Sequence, residues 1–416
     1  MKLLTVDTID EARKKISELA ESWTIKTETI SLDNAAGRIL AEDVFAPCDI
    51  PSFRRSTVDG YAVIAADTAG AAESIPVLLQ QTGLVSMGNA ARFAICSGEC
   101  AYVPTGGMLP SGADAVVMIE YCEQAMGSGE QGIGAIVGIC DAVAAGAGTA
   151  EIGEDAQKGK MIIKCGTVIR PQEIGALAAA GITRLQVFVP LTLSIISTGN
   201  ELVMPEQEPE PGQIRDVNTY ALKALALQYG YRVLPAELLP DDEQRLENAV
   251  IKAMALSDIV VISGGSSQGE KDLTAKIIDR AASPGVFTHG IAAKPGKPTI
   301  LGWDEKSKTL FAGLPGHPVS AIMVFEQLLG ATLTKKPLLF ASRPLPAKVS
   351  SNVPGASGKT VCQPVILVLK DGVYFAEPVF GKSGLITTLT QADGYITIDL
   401  NKEGLKKDEN VMVHLF

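Results

Sequence analysis

The chain has 416 residues, 46% of them hydrophobic and 20% charged, with a formal net charge of −11. A single core stops growing at roughly 250–300 residues, so more than one domain is expected. The acidic balance argues against nucleic acid or an anionic membrane as the main partner, since phosphate binding draws on a basic surface; it leaves room for a local cationic pocket.

In chain order, Thr8-Ile-Asp-Glu11 fits a capping box, and Ile9, Ala12, Ile16 and Leu19 follow at helical spacing. The apolar face of this helix needs another element or another subunit to cover it. From about 53 to 152, short apolar runs (Tyr61–Ile64, Val77–Leu79, Ala115–Ile119) alternate with Gly, Pro and Ser, as in a β-rich module. The Gly/Ala-biased stretch 126–149 reads as loop with one strand near Ala135–Ile139.

From about 191 the rhythm becomes strand, loop, helix. Leu191–Ser197 is a strand, and Asn218–Tyr229 is a helix with Gly230 at C′. Asp241 or Asp242 caps a helix running to Leu256. Asp258–Ser263 is a buried strand, Lys271–Ala281 a helix and Thr309–Ala312 another strand, and Pro318 sits at N1 of a last helix. This alternation implies a parallel, doubly wound sheet. The stretch 339–416 reads as all β, a small barrel or sandwich, with Asp371-Gly372 as a hairpin turn. Seven cysteines without a CxxC pair speak for ordinary thiols and against a disulfide framework or structural zinc. No apolar run reaches the roughly 18–20 residues of a membrane span, and the opening MKLLTVDTIDEARKK lacks a signal-peptide core, so a soluble cytoplasmic protein is expected.

Each α/β strand ends in a Gly- or Pro-rich loop: STGNEL (197–202), SGGSSQGEKD (263–272), KPGKP (294–298) and LPGHPVS (314–320). In open parallel sheets the carboxyl ends of the strands line the ligand edge. Glycines let backbone N–H groups approach oxyanions, and Lys294 and Lys297 add charge. Glu201, Asp258 and Asp272 are hard oxygen donors suited to Mg²⁺ beside phosphates. Each has a plainer reading: Gly-Gly as a turn, Asp272 as a first-turn helix acid, Asp258 as a strand or cap residue. His317 falls where an N-cap is expected. GASGKT (355–360) is not a P-loop, because Val353 stands where the first glycine belongs.

Taken in order, these loops resemble the MoeA/gephyrin E-domain family of molybdopterin molybdotransferases. The motifs begin with Ser56-Thr-Val-Asp59-Gly-Tyr-Ala62, Pro104-Thr105-Gly-Gly107, Pro110 through Met118 and Gly153-Glu154-Asp155. They continue with Ser197 through Leu202, Asp258-Ile-Val-Val, Ser263 through Asp272, Lys294 through Pro298 and Leu314 through Ala321. The resemblance covers essentially the whole chain. It implies an elongated N-terminal/linker domain (1–52 and 153–188), a β-rich domain (53–152), an α/β molybdopterin-binding domain (189–338) and a C-terminal β-barrel (339–416). It also implies a homodimer that inserts molybdate into adenylylated molybdopterin with Mg²⁺ and release of AMP. A molybdopterin adenylyltransferase and molybdoenzymes are the implied partners, and a non-catalytic scaffold of the gephyrin type is the alternative.

The resemblance further implies catalytic roles for Asp59, Thr105, Asp155, Glu201, Asp258 and Asp272, with Glu201 and Asp272 on Mg²⁺. Asp59 and Thr105 would face the cleft from one subunit, and the α/β residues from the other. The implied substrate contacts are Ser197, Thr198, Gly199, Gly264, Gly265, Ser266, Lys294, Lys297, Pro315, Gly316 and Ser383. The chain departs from the common family pattern at Ser266 (usually Val), at His317 (usually Asn), at Arg54-Arg55, and in GAGTAEI, which lacks an Arg often found there.

Overall fold

A computed structural model describes residues 6–126, 132–264, 268–330, 333 and 344–416. They form two compact units. One comprises Gly37–Ile39, Gln186–Phe416 and the N-terminal stretch to Thr29; the other comprises Ile30–Ala36 and Leu40–Leu185.

The first unit opens with helix α1 (Ile9–Ala20). Its capping box is formed: Glu11 N–H donates to Thr8 Oγ1 (3.2 Å), and Thr8 N–H donates to Glu11 Oε2 (2.8 Å). Ile9, Ala12 and Ile16 are buried in the α/β core of this unit, so the chain itself covers the helix.

The second unit carries strands β1 (Gly60–Val63), β2 (Val77–Leu84), β3 (Glu99–Val103), β4 (Ala115–Met118), β5 (Cys122–Met126) and β6 (Ile136–Ile139). Their order is β4-β1-β3-β2-β6-β5, and only the β2–β3 pair is parallel. Tyr61 and Val63 face one core and Ala62 the other, which is why Gly60–Val63 reads as a continuous apolar run. Helix α2 (Pro171–Ala179) lies later in this unit, with Pro171 in its first turn.

The first unit resumes with β7 (Thr192–Thr198), α3 (Asn218–Gln228), β8 (Arg232–Val233), β9 (Glu237–Leu239), α4 (Glu243–Met254), β10 (Ile259–Gly264) and α5 (Gln268–Ala281). Then come β11 (Pro284–His289), β12 (Ile300–Asp304), β13 (Thr309–Leu314) and α6 (Pro318–Phe325). The sheet order is β8-β7-β10-β13-β12-β11, with β9 also on β7. Six of the seven strands run the same way and β12 alone is reversed, pairing antiparallel with both β13 and β11, so the sheet is mixed where a parallel one is expected from sequence. Alternation along the strands fills two cores. Ile195, Val261 and Ala312 pack with α1, α3 and α6; Ile196, Val260, Ile262 and Phe311 pack with α4 and α5. Helices on both faces make it doubly wound.

The C-terminal strands β14 (Leu345–Val349), β15 (Thr360–Lys370), β16 (Val373–Pro378), β17 (Gly394–Ile398) and β18 (Asn410–Leu415) run in the order β15-β16-β14-β18-β17. β17 pairs back onto β15, so the small barrel is closed. Ala293–Lys294 adds in parallel to Thr360–Val361 of the barrel. All seven cysteines are free, and burial pushes the thiols of Cys100, Cys122 and Cys362 up to about 12, as inert reduced thiols require. Among the described residues no helix is long and apolar enough to cross a membrane.

Candidate functional site

β7 and β10 are parallel neighbours that end level, Thr198 opposite Gly264. A Cβ on Gly264 would lie 2.3 Å from the Thr198 carbonyl oxygen, so only glycine lets these two strand ends close up. The two strand ends therefore lie side by side, and side chains knit the surrounding edge together. Thr198 Oγ1 donates to Asp241 Oδ1 (2.7 Å) and Asn200 N–H to Asp241 Oδ2 (3.0 Å). The Asp241 N–H returns a bond to Asn200 Oδ1 (3.1 Å). Ser197 Oγ and Thr219 Oγ1 are 2.7 Å apart. Asn218 Nδ2 donates to Ser263 Oγ (2.8 Å) and to the Gly316 carbonyl (2.8 Å), joining the end of β10 to the turn after β13.

Glu201 is exposed on this edge, and its carboxylate lies over the loop: a Cβ on Gly199 would meet Glu201 Oε2 at 2.8 Å. It has no ion-pair partner among the described residues. Lys294 and Lys297 are exposed, equally without an acidic partner there, on a loop whose backbone is fixed. Thr299 Oγ1 donates to the Gly296 carbonyl (2.7 Å), Lys297 O accepts from the Ile291 and Thr299 amides, and a Cβ on Gly296 would strike Val324 at 2.4 Å. Gly265 and Ser266 lie outside the described residues. Asp272 falls in α5, and its side chain likewise lies outside what is described.

Asp258 does not join this group. It precedes β10, at the amino end of the strand, where Oδ2 accepts the Thr192 N–H (2.7 Å) and ties β7 to β10. Six residues of extended chain, about 20 Å, separate it from the loops at the other end. Its carboxylate fastens the amino end of β10 to β7. Asp241 is the residue that sequence reasoning passed over. Its signal was the strand Glu237–Leu239 running parallel on β7, which delivers Pro240 and Asp241 to the carboxyl edge, while Asp242 caps α4 through Arg245 N–H (2.8 Å).

In the other unit, Asp59 and Thr105 come together: the Thr105 N–H donates to Asp59 Oδ1 (2.8 Å), and both side chains are exposed. The turn holding Thr105 is set by Gly106 (φ +81°), whose N–H donates to Ser56 O (2.8 Å). Asp155 is also exposed; its N–H donates to Ile50 O (3.0 Å), and it lines a polar cavity of about 450 Å³ with Gly153, Glu154, Gln157 and Lys160. Among the described residues no hydrogen bond joins Asp155 to Asp59 or Thr105.

An α/β unit with Gly-rich loops at the carboxyl edge of its strands, and lysines there without an acidic partner among the described residues, is the arrangement of an anion- or phosphate-ligand protein. The model of the probable molybdopterin binding domain matches residues 194–335, flanked by the MoeA N-terminal region (domain I and II) at 7–181 and the MoeA C-terminal region (domain IV) at 346–416. The chain is 31% identical over 419 residues to the molybdopterin molybdenumtransferase of Haemophilus influenzae, covering 98% of each. Two crystal structures of the Pyrococcus horikoshii MoeA protein are also similar. One has 35% identity and TM-score 0.77 over 99% of both chains; the other has 30% identity and TM-score 0.80 over 99% of this chain and all of that one. The chain belongs to the MoeA family of molybdopterin molybdenumtransferases.

Proposed function

We propose that this chain transfers molybdate to molybdopterin, taking adenylylated molybdopterin as substrate and releasing AMP in a Mg²⁺-dependent step. The observation that carries the reading is the carboxyl edge of the sheet. Glycine-lined strand ends, two exposed lysines without acidic partners among the described residues and the open carboxylate of Glu201 converge on the α/β unit. Lys294, Lys297 and the backbone at Gly264 bind the anionic groups; Asn218 and Asp241 hold the strand ends in register. Asp59, held by the Thr105 amide, is assigned the role of a positioning group or base toward the α/β residues of the other subunit, and Asp155 a further role toward substrate.

Mg²⁺ fits a set of few protein carboxylates completed by phosphate and water, because it keeps much of its hydration. Glu201, whose carboxylate has no cationic partner among the described residues, and Asp272 would hold it. When bound, the ion supplies charge neutralisation at the phosphoanhydride. The proposed assembly is a cytoplasmic homodimer, supplied by a molybdopterin adenylyltransferase and serving molybdoenzymes.

The test is AMP release by the purified chain given adenylylated molybdopterin, molybdate and Mg²⁺. Glu201→Gln should lower the rate about 10²–10³-fold, the worth of one charged contact to a transition state, without altering the fold. A wild-type chain that releases no AMP would sink the reading.

A further inference from the structure

His317 stands at the N-cap of α6 but does not cap it: no side-chain bond runs from His317 to the first turn. Its ring turns outward instead. Nδ1 lies 3.0 Å from Ser383 Oγ, on the Phe380–Ile386 stretch that follows the barrel strand β16. The same serine is held a second time, its carbonyl accepting the Val319 N–H (3.1 Å) from the first turn of α6. Both polar ends of one residue are thus fastened to a single helix start. That start is in turn tied to the sheet edge, since the carbonyl of Gly316, next to His317, accepts from Asn218, which also donates to Ser263 at the end of β10. A hydrogen-bonded path therefore runs from the strand-end loops through His317 to the barrel. The loop it anchors is otherwise exposed: Phe380 is 59% and Leu385 52% accessible, so packing does little to place Ser383.

We propose that His317 is a positioning residue: it fixes Ser383 of the C-terminal barrel against the carboxyl edge of the α/β sheet, making the barrel one wall of the substrate site. The inference rests on the site proposed above and adds to it the residue that sets this wall. The contact uses the ring nitrogen bonded directly to Cγ. Asparagine carries a polar atom the same number of bonds from Cβ, whereas glutamine places its polar atoms one bond further out.

The experiment compares His317→Asn, His317→Gln and His317→Ala, with Ser383→Ala approaching from the other side. Backbone hydrogen exchange is read over residues 379–386 and at the Val319 amide, and steady-state kinetics with adenylylated molybdopterin separate KM from kcat. The expected result is faster exchange over 379–386 in the Ala and Gln variants and wild-type exchange in Asn. KM should rise about three- to tenfold in Ala and Gln, the range of one hydrogen bond, with kcat little changed. The His317→Ala/Ser383→Ala double variant should be no worse than Ser383→Ala. Unchanged exchange and KM in His317→Ala would overturn the proposal, as would an Asn variant as impaired as Ala. If the wild-type chain does not turn over, the functional reading fails, and the exchange measurements still decide the role of His317.

Discussion

Single side chains divide here into those that hold the site and those that face ligand. Lys294 and Lys297 are proposed to be of the second kind; their side chains are exposed, and Pro295, the buried Gly296 and the Thr299 bond fix their backbone. Changing either to Ala should leave the melting temperature near wild type, exposed substitutions usually costing no more than about 0.5 kcal/mol. The molybdate requirement should rise and its dependence on salt flatten, which activity titrations at two ionic strengths will read. Unaltered titrations in both variants would mean that the anion is held elsewhere. Glu326 behaves differently. It is buried, with the Tyr229 hydroxyl donating to it, and burial holds its carboxyl above the ordinary range. A raised folded-state value means that its contribution to stability is full below the unfolded carboxylate pKa and is lost as pH rises through the folded value. Glu326→Gln keeps an acceptor for Tyr229 at every pH. Its stability relative to wild type in urea should therefore improve between pH 5 and pH 8; an equal difference at both would refute the assignment. Asp258 and Asp241 show what was legible at this scale. Both precede apolar helix or strand patterns, and residue type alone cannot say which end of a strand a carboxylate occupies. Only the parallel pairing of Glu237–Leu239 on β7 separates a site neighbour from a strand fastener.

Whole elements were legible where local chemistry dictates them. The capping box of α1, Gly230 after α3 (φ +78°) and Pro318 at the start of α6 each fix a helix end by a local rule. The edge strands β11 and β12 escaped notice: their sequences, PGVFTH and ILGWD, are short, and nothing local says that they extend the sheet through one reversed strand, β12. The Asp371-Gly372 turn joins β15 to β16 with both residues at positive φ, +50° and +77°. A Cβ on Gly372 would meet nothing within 4 Å, so the cost of Gly372→Ala is conformational alone. It should destabilise by about 1–2 kcal/mol, and Gly372→Asn by less, measured by urea denaturation. A neutral Ala variant would show that the turn relaxes to another type.

At the scale of the molecule, two units each own a core, and closure of the barrel was the feature least available to sequence, since it depends on β17 meeting β15 across the intervening chain. Separate cores predict separable unfolding. Ile16, 1% accessible in the α/β core, should cost about 2–5 kcal/mol when changed to Ala. Calorimetry should show that loss in the transition of the unit containing α1, and circular dichroism of the other should be unmoved; a uniform shift of all transitions would argue for one cooperative block. The position of α1 also bears on how the protein is made. The helix lies far in the chain from its partners: its apolar face is buried by strands from Thr192 onward, and Arg13 donates to the carbonyl of Gln327, whose side-chain amide reaches Tyr395 Oη at 2.8 Å. Until those later strands are made, the helix face lacks the core that covers it, while the intervening unit can already fold. A nascent chain stalled before β7 is the state in which this helix is most open to a chaperone or a protease.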